Sequence, residues 1–279
     1  MFSAPLEARP SRASGAITIP RADALARIGR IAVGAAFVAF GVANILVGDF
    51  VAGRAPAWPT GVPGQLLWAY GTAIVFVVAG ICVVSGRWAI RAAIVVASLI
   101  AMWALLRRIP TAFADHQFGG EWTNLGKAIT LSGGLLGVAG SFDLASPDAT
   151  DAEIHRAWAM RTVARLSLGA FLVASGVQHF LFTPFVATLV PAWIPGAMFW
   201  TYFAGTALIA GGVGLVLAKT SRLAATLVGS MVFTWLLVLH IPRGFALNNQ
   251  NEWTAAIEAL AVTGIAWALV QRAREAGAL

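Results

Sequence analysis

The stretch GVQHFLFTPFVATLVPAWIPG, residues 176–196, ends an apolar run at His179 and follows it with a Pro-Ala-Trp turn. Residues 41–64, GVANILVGDFVAGRAPAWPTGVPG, share the layout, with Asn44 in place of the histidine. Outward from this pair, Arg30, Gly34, Gly41, Phe50, Pro56 and Trp58 correspond at an offset of 135 to Arg165, Gly169, Gly176, Phe185, Pro191 and Trp193. A short deletion changes the offset to 132, and Trp68, Tyr70, Gly80, Trp103, Ile109, Pro110 and Phe113 then match Trp200, Tyr202, Gly212, Trp235, Ile241, Pro242 and Phe245. After one more gap Glu121-Trp122-Thr123 matches Glu252-Trp253-Thr254. A self-similarity of this length is a tandem duplication of one structural unit.

Composition decides what the unit is made of. The 279 residues are 59% hydrophobic and 11% charged, with a mean hydropathy of +0.79. A water-soluble domain carries about 25% charged residues. Stretches of about 20 apolar residues are long enough to cross a bilayer, and backbone in lipid must pair internally, so they are helices. The apolar runs predict helices over Gly29–Val47, Leu66–Val84, Trp88–Leu106, Trp122–Phe142, Thr162–Phe182, Ala197–Ala218, Leu223–Ile241 and Trp253–Val270. The expected fold is therefore all-α: a polytopic membrane protein with eight transmembrane helices in two parallel four-helix repeats. Residues 27–142 form the first repeat and 161–272 the second. Residues 1–26 read as a mobile cytoplasmic tail without the apolar core of a signal peptide. Residues 143–160 read as a polar cytoplasmic linker with a short amphipathic helix and a solvated His155.

The net charge is +7, and 17 of the 19 basic residues are arginine. No basic stripe interleaved with aromatics appears, so nucleic acid is not the expected partner. Fourteen of the 19 basic residues fall in residues 1–30, the turns at 85–91 and 219–222, residues 143–165 and the C-terminus, against Arg54, Arg107, Arg108 and Arg243 on the other side. Basic residues collect on the cytoplasmic side, which predicts a multi-pass inner-membrane protein with both termini in the cytoplasm and the lipid bilayer as its surroundings. The single cysteine, Cys82, excludes a disulfide or dithiol relay within the chain.

The polar residues needing explanation gather at the outer helix ends. His179, His240, Arg243 and Glu252 belong to the second repeat, and Asn44, Arg108 and Glu121 to the first. Together they define a candidate pocket whose two sides differ, because Asn44 stands opposite His179, and Arg108 opposite His240, in the repeat alignment. Glu121 and Glu252 also begin helices, where a carboxylate meets the positive end of the dipole. Lys127 and Glu258 lie a turn and a half inside matching helices. An intramembrane charge is costly unless paired, so the two are expected to form an ion pair between the repeats. The glycines spaced seven apart at 34 and 41, and at 169 and 176, read as close helix packing. Two histidines at similar depth are compatible with a bis-histidine haem or a shared metal. No HxxxH spacing or third ligand accompanies them, and neither group is expected.

GVQHF, FVATLVPAWIPG, FWTYFAGTALIAGG, KTSRLAA and LHIPR together resemble the DoxX-like membrane proteins over residues 161–272, and residues 27–142 look like a more divergent copy. The resemblance implies a four-helix unit in a bacterial inner membrane and membership in a superfamily with quinone-linked oxidoreductase subunits. It also makes His179 the residue of interest, with a quinone as the cofactor and a redox protein as the partner. Three function classes remain open at this level: a redox- or quinone-associated subunit, a non-catalytic scaffold binding a partner or lipid, and a small-molecule transporter. The residues assign no catalytic group.

Overall fold

The computed structural model describes residues 21–52, 55, 56, 58–117 and 119–271, and among them there are helices and no strands. The elements are α1 (Arg21–Val47), α2 (Gln65–Ser85), α3 (Ala89–Trp103), α4 (Ile109–Ala114), α5 (Gly119–Ala145), α6 (Asp151–Leu181), α7 (Thr183–Ala187), α8 (Ala197–Val216), α9 (Ser221–Trp235), α10 (Ile241–Leu247) and α11 (Gln250–Ala268). A five-residue π-helical segment joins α3 to α4 at Ala104–Arg108, and another joins α9 to α10 at Leu236–His240. Seven of the resulting rods among the described residues are long and apolar enough to cross a membrane. The eighth rod, α11, falls outside that group. It carries Glu252 and Glu258, and most of its length is buried against protein.

The helices form a closed circuit. In chain order α1 packs on α2, α2 on α3, α3 on α5, α5 on α6, α6 on α8, α8 on α9 and α9 on α11, and α11 returns to α1. The first long helix of each half therefore lies against the last long helix of the other, and α5 and α11 also touch. In its most apolar stretch α5 is 72% buried, about twice the share of the other six apolar rods. The core sits along α5 and α11, and lipid-length apolar faces surround it.

Local chemistry explains the boundaries. Gly64 (φ 92°) and Gly196 (φ 78°) immediately precede α2 and α8 in a left-handed conformation that a side chain would strain. These are matching positions at the ends of the two Pro-Ala-Trp loops. Thr150 begins α6 with a reciprocal capping box: its hydroxyl accepts from the Glu153 N–H, while Glu153 accepts from the Thr150 N–H. The cap places the expected linker differently, because residues 151–160 are the first turns of a continuous 31-residue helix and not a separate amphipathic one. His155, within those turns, is exposed and bonded to the Asp151 carbonyl. Likewise α1 begins at Arg21, inside the stretch read as tail, whose first 20 residues lie outside the described part.

Glycine sets the tightest contacts. A Cβ on Gly212 of α8 would stand 2.6 Å from the Gly169 carbonyl oxygen of α6, and one on Gly34 of α1 would stand 2.7 Å from that of Gly80 of α2. Both pairs bring two backbones together in the way small residues allow in lipid. Gly71 on α2 has nothing within 4 Å of such a Cβ. Gly212→Val is therefore expected to lower stability by about 3 kcal/mol, since backbone cannot yield as a side chain does, while Gly71→Ala leaves it unchanged. Thermal unfolding of the detergent-solubilised protein compares the two, and equal midpoints would refute the packing role.

Candidate functional site

The end of the rod that begins with α3 is shaped by a proline. Pro110 has no N–H, and its ring crowds the carbonyls one turn back. The rod adapts by widening to the π-helical segment, where the Ile109 N–H reaches the Ala104 carbonyl, and the Thr111 hydroxyl takes up the Arg107 carbonyl at 2.8 Å. The same device precedes Pro242, where the Ile241 N–H reaches Leu236. A π segment rotates the following side chains relative to an α-helix, which is one reason such segments mark functional sites. Here it carries Arg108 into the protein, where only 3% of the residue is exposed.

Beside this segment lies a cavity of about 50 Å³, bordered by Asn44 of α1, Thr72 and Phe76 of α2, Trp103, Arg107 and Arg108. Phe50 and Pro56, from the connection between α1 and α2, also line it. Asn44 is fully buried. Its Oδ1 accepts the Val51 N–H at 2.9 Å and so ties the helix end to the loop. Its Nδ2 and the Trp103 Nε1 are both buried donors without a hydrogen-bond partner among the described residues. Leaving such a donor unsatisfied costs about 1–3 kcal/mol, so two at one cavity form a feature that packing alone does not explain. Arg107 donates to the Pro56 carbonyl at 3.0 Å and lies over the Trp58 ring. Trp58 stacks on Phe50, and Trp103 meets Phe50, Trp58 and Trp68, which makes an aromatic cluster at the cavity.

The structure divides the seven expected pocket residues. Asn44 and Arg108 line the cavity; His179, His240, Arg243, Glu252 and Glu121 do not. Arg108 bonds Glu121 at 3.0 Å. Arg243 grips Glu252 through two nitrogens, at 2.8 and 3.0 Å. Glu252 also follows the cap of α11, where the Asn249 side chain accepts its N–H. His179 Nδ1 lies 2.8 Å from the Ser175 carbonyl. A carbonyl only accepts, so Nδ1 carries the proton, leaving Nε2 as an acceptor in the neutral ring. His240 closes the second π segment, partly buried. Among the described residues no three His, Cys, Asp or Glu side chains gather as a metal would require. Trp103, Arg107 and Thr72 are the site residues that sequence reasoning passed over. The signal for Trp103 was its repeat match, but an interfacial tryptophan has the same signature.

Lys127 Nζ donates to Glu258 Oε2 at 2.6 Å, joining α5 to α11. The pair is largely shielded, with side chains 20% and 8% exposed. Arg108 lies close enough to Glu258 to be influenced by its charge. The order Glu121, Arg108, Glu258, Lys127 thus alternates in sign beside the cavity wall, which also includes Ala128.

Residues 168–276 match the family described as a domain of unknown function, DUF8561. No curated protein and no solved structure matches the chain. The matched stretch covers most of the second half, whereas the cavity is built from the first.

Removing one member of a shielded ion pair leaves the other charge uncompensated, at a cost of about 3–5 kcal/mol. Lys127→Met is expected to lose stability on that scale, and Glu258→Leu added to it is expected to recover a large part. A double-mutant cycle by chemical unfolding in detergent reads the coupling. Additive losses would show that the two side chains act independently.

Proposed function

We propose that this chain is a DoxX-like, multi-pass protein of a bacterial inner membrane that serves as a ligand-binding subunit of a redox, quinone-linked assembly. It crosses the bilayer eight times as two parallel four-helix repeats, with both termini in the cytoplasm. Electrons come from a partner protein, and this chain contributes the membrane frame and an outer site. The site is the first-half cavity, which holds its ligand by hydrogen-bond acceptors. The observation that carries this reading is the pair of buried, unpartnered donors, Asn44 Nδ2 and Trp103 Nε1, on one cavity. Two unsatisfied donors that meet at one cavity support a binding site, since a ligand would supply what the chain withholds. The eight-span arrangement draws support from the reciprocal packing of α1 on α11 and α6 on α5, which a two-fold relation of the halves would produce.

A second reading, a scaffold that binds a partner or lipid without catalysis, is favoured by a different observation. Phe199, Trp200 and Phe203 form an exposed aromatic ridge at the start of α8. Such a ridge suits membrane-interface anchoring as well as a protein contact.

Trp103→Phe keeps the ring and deletes only the N–H. Native mass spectrometry of the protein released from nanodiscs is expected to show a small-molecule adduct on the wild type that is reduced about tenfold in the variant, the scale of one lost hydrogen bond to a charged or strongly polar group. Equal adducts on both proteins, or none on either after gentle release, would reject the cavity as the binding site.

A further inference from the structure

We propose that the first-half cavity is an anion site that takes the carboxylate end of a small monocarboxylate. This rests on the binding function proposed above and names its ligand class. The first argument is the donor inventory. Asn44 Nδ2, Trp103 Nε1 and the guanidinium groups of Arg107 and Arg108 can only donate. The Asn44 oxygen, the acceptor of that amide, already receives the Val51 N–H. Of the polar side chains on the cavity wall, this leaves the Thr72 hydroxyl and the second lone pair of Asn44 Oδ1 to accept, against four donor groups. Water is less well matched to such a wall than an anion is, because its own two hydrogens need acceptors where donors predominate. A carboxylate has no hydrogens to place and about four lone-pair positions to fill.

Charge and size point the same way. Two guanidinium groups border the cavity, while the carboxylates near them, Glu121 bonded to Arg108 and Asp49 in the field of Arg107, are not part of its wall. Arg108 is almost wholly shielded from solvent and paired with Glu121, so an anion at the wall would meet the positive end of that pair together with the Arg107 guanidinium. A space of about 50 Å³ admits a carboxylate or a few waters, at about 10–15 Å³ each, but not a quinone ring. A quinone belonging to the assembly would then bind elsewhere.

The duplication supplies an internal comparison. At the repeat offset of 132, Ala104, Arg107 and Arg108 correspond to Leu236, Leu239 and His240. Leu236 is buried where Ala104 leaves room, and leucine replaces the first guanidinium. The second half has kept the backbone device and Trp235 but lost both guanidinium groups and the Asn44 amide, so the anion site belongs to the first half.

The test uses the full chain in nanodiscs with 15N-indole-labelled tryptophan. The Trp103 Nε1–H resonance is assigned by its disappearance in Trp103→Phe. Titration with sodium acetate, against sodium chloride at constant ionic strength, is expected to move that resonance saturably, with chloride producing no comparable shift. Asn44→Asp keeps the acceptor for Val51, removes the cavity donor and adds a negative charge. It is expected to weaken acetate binding at least tenfold. Arg107→Gln is a second variant should Asn44→Asp fail to fold, judged by the dispersion of the remaining indole signals, and a comparable weakening is expected. Equal shifts with acetate and chloride, or unchanged affinity in the folded variants, would overturn the carboxylate assignment. A shift with decylubiquinone and none with acetate would overturn it too, while leaving the binding reading intact. A resonance indifferent to both would remove both.

Discussion

The contact between Lys127 and Glu258 is the point on which the two halves depend. It joins α5 to α11, the helices at the centre of the circuit. Each charge alone would be expensive at that depth, so each half is completed by a residue of the other. The pairing also explains why α11 carries acidic residues and yet lies largely buried. A helix that faces protein and a lysine does not need the apolar surface of one that faces lipid. With α5 and α11 placed, α1 closes on α11 and α6 on α5, and the outer helices follow through their glycine contacts. The halves are interlocked and do not form two independent bundles.

Within this frame the repeats have kept their backbone devices and changed their side chains. Left-handed glycines at 64 and 196, prolines at 110 and 242, and a π segment before each proline are common to both. The outer ion pair is also common, but its arginine has moved. Glu121 bonds Arg108, whereas Glu252 bonds Arg243, one turn beyond the position equivalent to Arg108. That move frees the inner position for His240 and takes the second guanidinium away from the inner wall. In the first half the arginine stays inward, and the adjacent Ala104 leaves the space that becomes the cavity. Two changes, one of charge position and one of side-chain volume, account for much of the difference between the halves.

Much of the helical framework was legible because it follows from two periodicities visible in the chain: apolar runs of bilayer length and the repeat itself. The Lys127–Glu258 contact was legible because the sequence repeat pairs the two positions and either charge alone would be costly in lipid. Helix ends were less so. The rods after Trp103 and Trp235 continue past Pro110 and Pro242 because a π segment absorbs the prolines, and sequence rules read proline as a stop. The start of α6 was written in Thr150 and Glu153, but a polar stretch that is the solvated first turns of a long helix looks the same as a linker. Of the cavity, Asn44 and Arg108 were legible as polar residues needing explanation, but the space itself was not. It is a volume left between Ile100 and Ala104 on one rod and Ala128 on α5, and no local pattern reports a missing side chain.

The histidine and the amide at matching positions differ for a physical reason. A histidine at a helix end has a ready partner in the carbonyl four residues back, and His179 uses it: Ser175 accepts from Nδ1, which satisfies one nitrogen locally. Asn44 at the equivalent position spends its oxygen on Val51, in the loop, and its nitrogen then has nowhere to go among the described residues. The amide is thus more demanding than the imidazole, although histidine has the richer chemistry. In a low-dielectric interior the group that lacks a partner says more about a ligand than the group with the most versatile pKa. By that criterion the half of the chain with Asn44 and Trp103 holds the proposed site, and the half with His179 and His240 supplies much of the frame around it.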